Sequence, residues 1–359
     1  MTRPAVARLS RASLRANLSH AHALADGAFL YAVVKADAYG HGLISSAIVL
    51  ADGGARAFAV ACLEEAVMLR EAGIQHPVLL LEGAVDQTEL IEARARDLQL
   101  VVHCEEQIAS LRALGESYPA RLWLKCDSGM GRLGFAPGEI PDAWDRLRAL
   151  GPLELGLMTH FATADDPSHP AGAEQCAVWR DVVRQTDARF TSARNSAALL
   201  TRLVDGDCPR AGLMLYGASP IINGSARQLG LAPVTTFESR LIAARELPVG
   251  AAVGYGQAWV AQRPTRLGIV AAGYGDGYPR HAPDGTPTLV RGRRAPLIGR
   301  VSMDMLAVDL TDVPGSQRGD RVELWGAGLP IEEVARAADT IPYTLMCGLT
   351  PRVRRVWED

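Results

Sequence analysis

The chain has 359 residues, 48% of them apolar and 21% charged, with a formal net charge of -3. That length exceeds one average domain, so two domains, or one large barrel with an appendage, are expected. The near-neutral balance argues against a nucleic-acid partner, and apolar runs broken before roughly 18 residues argue against a membrane span.

Residues 1–25 carry scattered arginines and no uninterrupted apolar core, which speaks against a signal peptide. From residue 29 the chain alternates short β-rich runs with helical stretches. Strands are expected at 29–35, 57–62, 77–81, 98–104, 121–126, 153–160, 190–194 and 208–213. Between them, segments such as 63–72, 105–114 and 141–150 have apolar residues three and four apart, the spacing of amphipathic helices. Eight strands joined by helices predict an α/β fold, a (β/α)8 TIM-like barrel over residues 1–232, with a doubly wound sheet as the alternative. From residue 233 glycine and proline become frequent and the apolar runs shorten, at 240–246, 266–271, 288–290, 305–310 and 321–324. Only 331–338 reads as a helix, so residues 233–359 are expected to form a mainly β second domain.

Six cysteines (Cys62, Cys104, Cys126, Cys176, Cys208, Cys347) are widely spaced, with no C-x-x-C pair. They read as reduced thiols in a cytoplasmic protein, and no metal site is expected. Of the 37 basic residues only two are lysine, Lys35 and Lys125. Arginine replaces lysine as a surface charge but not as a nucleophilic amine, so each surviving lysine invites a chemical reading beside that of chance.

The chemical candidates fall at the strand ends. Lys35 ends the first expected strand and Lys125 the fifth, with Arg132 in the glycine-rich loop that follows. His160 ends the sixth, Asn195 and Ser196 follow the seventh, and Arg210 lies in the eighth with Gly212 after it. In a (β/α)8 barrel these ends share one mouth, where active sites are built. A lysine after a buried apolar strand can lose its proton through desolvation and form a Schiff base with an aldehyde cofactor; a surface anchor is the plainer reading. Arg210 taken alone reads as a salt-bridge arginine, and Tyr274 as a structural tyrosine in a glycine-rich turn.

The run Ala32-Val33-Val34-Lys35-Ala36-Asp37-Ala38-Tyr39-Gly40-His41-Gly42 resembles, almost residue for residue, the cofactor-binding signature of the alanine racemase family, fold-type III pyridoxal-phosphate enzymes. The resemblance continues through 125–135, 159–162, Asn195-Ser196, 210–217, 273–278 and 299–305, in order and across nearly the full chain. It implies pyridoxal 5'-phosphate as cofactor and racemisation of L- and D-alanine, supplying D-alanine for cell-wall peptide. Lys35 would hold the cofactor and act as one base, and Tyr274 would be the opposing base, with His160 beside it and touching Arg210. Arg210 would face the pyridine nitrogen. Tyr39, Ser196 and the N–H groups of Gly212 and Leu213 would bind phosphate, and Asn195 belongs to the same cofactor set. Arg132 and the N–H of Met303 would take the substrate carboxylate. Lys125 would be carbamylated and orient Arg132; an unmodified lysine paired with a carboxylate is the alternative.

Tyr274 and Met303 would come from a partner subunit, implying a head-to-tail homodimer. The chain departs from some family members near its end, where Pro351 stands in place of a tyrosine that lines the pocket. That leaves a racemase of broader specificity, acting on serine or larger amino acids, as the second reading. A non-enzymatic cofactor-binding protein of related barrel fold, which would resemble the first domain only, is a third. A decarboxylase of related fold fits Arg210 and the short second domain poorly.

Overall fold

The computed structural model describes residues 3–206 and 208–359. Each of the eight runs expected as a barrel strand contains one: β2 (Tyr31–Val33), β3 (Ala57–Val60), β4 (Val78–Leu80), β5 (Leu98–Val102), β6 (Arg121–Lys125), β7 (Glu154–Met158), β8 (Thr191–Ser192) and β9 (Arg210–Ala211). They form one sheet in the order β8-β7-β6-β5-β4-β3-β2-β9. Neighbours are parallel throughout. The sheet curls back on itself. At the seam Cys208 donates its N–H to Thr191 O (2.9 Å) and Arg210 to Arg194 O (2.8 Å). That near closure excludes the doubly wound alternative. It also explains why β3 and β4 read as continuous apolar runs: strands covered on both faces bury every side chain.

The first strand, β1 (Val6–Ser10), lies elsewhere. The sequence reading put residues 1–232 in the barrel, but β1 pairs antiparallel with β10 (Thr235–Leu247) and parallel with β18 (Arg354–Glu358), both in the second domain. Ser10 ends the strand and its hydroxyl accepts from Ser13 N–H at 3.1 Å, capping the helix Arg11–Ala25. The chain thus passes from one domain to the other within a residue, and five residues are too few to announce the switch.

The remaining strands of the second domain are β11 (Ala252–Val253), β12 (Trp259–Val260), β13 (Thr265–Val270), β14 (Pro287–Val290), β15 (Arg293–Pro296), β16 (Leu306–Asp309) and β17 (Arg321–Trp325). Apart from the small β11–β12 pair they join β1, β10 and β18 in a second sheet. The helix expected near residue 331 is Ile331–Ala337, and a second one, Pro342–Cys347, follows it. The sequence reading did not expect this second helix, although Pro342 stands at its first turn, where no N–H is needed.

One local feature sets the site. After β2 the chain turns through Ala36, Asp37, Ala38 and Tyr39, all with φ of 53 or 54°. These are left-handed residues with side chains, which costs roughly 1–2 kcal/mol each. Glycines are the residues that adopt this conformation most readily. Gly40 (φ 77°) and Gly42 (φ 96°) do continue it, but they do not begin it.

Candidate active site

The C-terminal ends of the barrel strands open into a cavity of about 820 Å³. Ten of the residues singled out from the sequence line it: Lys35, Tyr39, Lys125, Arg132, His160, Asn195, Ser196, Arg210, Gly212 and Leu213. The second domain of the same chain closes one side through its two helical segments, including Glu332, Arg336 and Tyr343.

Arg210 is buried and tightly held. Its Nη1 donates to Ser192 O (2.8 Å) and its Nη2 to Thr159 O (2.8 Å) and to His160 Nδ1 (3.3 Å). The Nε–H has no hydrogen-bond partner among the described residues. Burial lowers the Arg210 pKa to about 10, which leaves it charged at neutral pH. Arginine cannot accept, so Nδ1 of His160 is the acceptor of a neutral ring. Burial first, then the charges of Arg210, Lys125, Arg132 and Lys35, hold the His160 pKa far below its ordinary value. Asn195 caps the helix Ser196–Thr201 by accepting from Ala198 N–H, and its amide nitrogen lies 3.4 Å from His160 Nε2.

Ser196 Oγ accepts from Gly212 N–H (2.8 Å) and Met214 N–H (3.4 Å). The Gly212 donor is therefore engaged by Ser196, while Leu213, which opens a one-turn 3-10 helix, has an N–H with no partner inside that turn. A Cβ on Gly212 would stand 2.5 Å from the Tyr39 hydroxyl, so glycine is what lets Tyr39 reach this corner.

Lys125 is buried with no hydrogen bond or ion pair among the described residues. Burial, then the charges of Arg210, Arg132 and Lys35, bring its pKa down to about 8. Carboxylate pairing, the plainer sequence reading, is therefore not what the geometry offers. Asp127 is the nearest acid in sequence, and its Oδ1 accepts instead from the N–H groups of Gly129, Met130 and Gly131. Those bonds fold the loop that presents Arg132.

Tyr274 and Met303 are brought together but not into this cavity. Tyr274 N–H donates to Ser302 O (3.1 Å) and Gly275 N–H to Met303 O (2.8 Å). Both side chains are exposed, and neither is among the described residues lining the cavity. Beneath them Asp276 is fully buried, ion-paired with Arg3, and accepts from Gly273 N–H (2.9 Å). Arg352 joins Asp304, the neighbour of Met303, at 2.5 Å. Arg3 and Arg352 went unremarked in the sequence because Asp276 lies 273 positions from Arg3 and Asp304 lies 48 from Arg352. Pro351 is exposed and does not line the cavity.

Two lysines at a barrel mouth, beside a buried arginine whose Nε–H has no partner among the described residues and a corner at Gly212 reached by a tyrosine and a serine, are chemistry that suits an anionic aromatic aldehyde. Comparison with known proteins narrows this. Residues 9–220 match the alanine racemase N-terminal domain and residues 234–357 the alanine racemase C-terminal domain. An alanine racemase of Chromohalobacter salexigens is 50% identical over 357 residues, covering 99% of this chain and 98% of that one. The crystal structure of a biosynthetic alanine racemase from Pseudomonas aeruginosa superimposes with a TM-score of 0.97 at 46% identity, covering both chains in full. A Bartonella henselae alanine racemase, described with covalently bound pyridoxal phosphate, gives 0.89 at 26% identity over 99% of each chain. The chain belongs to the alanine racemase family.

Among the described residues no helix is long and apolar enough to cross a membrane, and no group of three or more His, Cys, Asp or Glu is placed to hold a metal ion.

Proposed function

We propose that this chain interconverts L- and D-alanine with pyridoxal phosphate, using Lys35 and Tyr274 as opposed bases and supplying D-alanine for cell-wall peptide. The observation that carries the reading is convergence: Lys35, Tyr39, Arg132, His160 and Arg210 line one cavity in a chain of this family. Bound pyridoxal phosphate supplies an electrophilic carbonyl and an electron sink for the α-carbon.

The residues present fit that group. Lys35 holds it covalently and exchanges a proton at one face of the substrate α-carbon. The Arg210 Nε–H, unpartnered among the described residues, suits the pyridine nitrogen. Arginine keeps its proton, so Arg210 would donate to that nitrogen and hold it unprotonated, a setting that would disfavour transamination. Tyr39, Ser196 and the Gly212 and Leu213 N–H groups bind the phosphate, with the Ser196 hydroxyl sharing its donor from Gly212. Asn195 and His160 border the ring. Arg132 and the Met303 N–H hold the substrate carboxylate.

Tyr274 exchanges the proton at the opposite face, because racemisation without turning the substrate over needs a base on each side. Its position outside its own cavity, beside exposed Met303 and Met305, supports a head-to-tail homodimer in which each subunit completes the other's site. The unpaired Lys125 among three other cations supports carbamylation, which would place an anion where the cluster lacks one. None of the six cysteines forms a disulfide among the described residues, which favours the cytoplasm.

Incubation with single L-amino acids in deuterated water tests this. L-Alanine should give D-alanine carrying α-deuterium, and failure to do so overturns the reading. Pro351 keeps the broader-specificity reading alive; equal efficiency with L-serine would make it the better one.

A further inference from the structure

The backbone after Lys35 is left-handed for four residues, none of them glycine. Such a run persists only where its surroundings hold it. His41 is buried at the end of it. Its Nδ1 lies 3.0 Å from Ala38 O and 2.9 Å from Tyr39 O. Carbonyl oxygens only accept, so Nδ1 carries the proton, and in a neutral ring Nε2 is then an acceptor. Thr235 supplies the matching donor, with Oγ1 2.5 Å from Nε2. Burial lowers the His41 pKa to about 4, in keeping with one fixed tautomer.

The ring also packs on Tyr216, with centroids 4.6 Å apart, and Tyr216 stacks on Tyr39 at 4.7 Å. The Tyr216 hydroxyl donates to Val33 O at 2.9 Å, two residues before Lys35. Three rings and four hydrogen bonds therefore bracket the segment between the lysine and the tyrosine that reaches Gly212. Thr235 opens β10, so the bracket is fastened to the second domain.

We propose that His41 is a positioning residue, a clasp that holds the left-handed turn and so fixes the Tyr39 hydroxyl and the Lys35 amine for the cofactor, with Thr235 as its anchor. This rests on the assignment of Tyr39 to the phosphate made above. His41 touches neither substrate nor reacting atoms and acts through the turn.

The test is a double-mutant cycle on cofactor affinity. Pyridoxal phosphate is titrated into the apo forms of wild type, Tyr39→Phe, His41→Phe, His41→Asn and the Tyr39→Phe/His41→Phe double variant, with the melting temperature of each apoprotein recorded. His41→Phe, which keeps a ring on Tyr216 but no donor, should weaken binding about tenfold, as for one displaced hydrogen bond. His41→Asn, whose amide can donate from near the Nδ1 position, should recover most of that loss. The double variant should bind about as weakly as the worse single variant, because both act on one contact. Tyr39→Phe that weakens binding while His41→Phe does not, or losses that multiply, overturn the clasp alone. Tyr39→Phe binding as tightly as wild type overturns the phosphate assignment and the clasp with it. If His41→Phe does not fold, Thr235→Val takes its place in the cycle: weaker binding that does not multiply with Tyr39→Phe supports the clasp, and unchanged binding overturns it.

Discussion

The two lysines occupy different chemical situations in one cavity. The role proposed for Lys35 needs a nucleophilic amine, so Lys35→Arg, which keeps the charge, should abolish both covalent cofactor capture and racemisation. Visible absorbance of the bound cofactor and D-alanine formation check the two losses separately. Lys125 gives a pH dependence with a definite sign. Its pKa is depressed to about 8, so the amine is mostly charged below that pH and mostly neutral above it. Only the neutral amine takes up carbon dioxide. At a fixed concentration of dissolved carbon dioxide, carbamylation should therefore increase as pH rises through about 8, as read by the carbamate carbon signal in NMR with labelled carbon dioxide. The same depression means that the unfolded chain binds an extra proton between about 8 and the ordinary lysine value of 10.5, so an unmodified Lys125 makes the fold more stable as pH rises across that window. Lys125 was visible in the sequence as a survivor of the arginine bias; its lack of a carboxylate partner was not, because the nearest acid is spent on its own loop.

At the scale of elements, the barrel strands were legible because strands buried on both faces leave unbroken apolar runs bounded by polar turn residues. The left-handed turn was not, since Ala36, Ala38 and Tyr39 are ordinary helix or strand formers, only Asp37 tolerates that region readily, and the conformation is imposed by neighbours such as His41 and the Pro342–Cys347 helix. Gly40 marks that imposition. It has φ of 77°, and a Cβ there would stand 2.2 Å from Met346 O. Gly40→Ala should cost about 2 kcal/mol or more in denaturant unfolding, combining left-handed strain with a backbone clash. Gly27 is the control: its φ is 79° but nothing lies within 4 Å, so Gly27→Ala should cost only about 1 kcal/mol. Equal costs would mean that the contact with the second helical segment contributes nothing. Tyr343, which lines the cavity from that segment with its ring 5.8 Å from that of Tyr39, escaped the sequence reading because nothing marked the helix carrying it as part of the mouth.

At the scale of the whole molecule, the proposed head-to-tail dimer makes a numerical prediction. Lys35→Ala and Tyr274→Phe variants, each inactive alone, should regain about a quarter of wild-type activity when unfolded and refolded together in equal amounts. Half the dimers are then mixed, and each carries one intact site. No recovery, with mixed dimers present by mass spectrometry, would separate Tyr274 from the neighbouring subunit's chemistry. The domain organisation was legible in outline but not in its threading, because β1 is too short to declare which sheet it serves. That threading bears on synthesis. β1 is made before the barrel, yet both strands it pairs with, β10 and β18, come after it. The nascent chain must hold Val6–Ser10 unpaired while some two hundred residues fold behind it, and β1 gains its second neighbour only when Arg354–Glu358 arrives. Loss of Arg354–Glu358 would thus leave β1 held by β10 alone and move the edge of the sheet from β18 to β1, a newly exposed strand for proteases and chaperones to find.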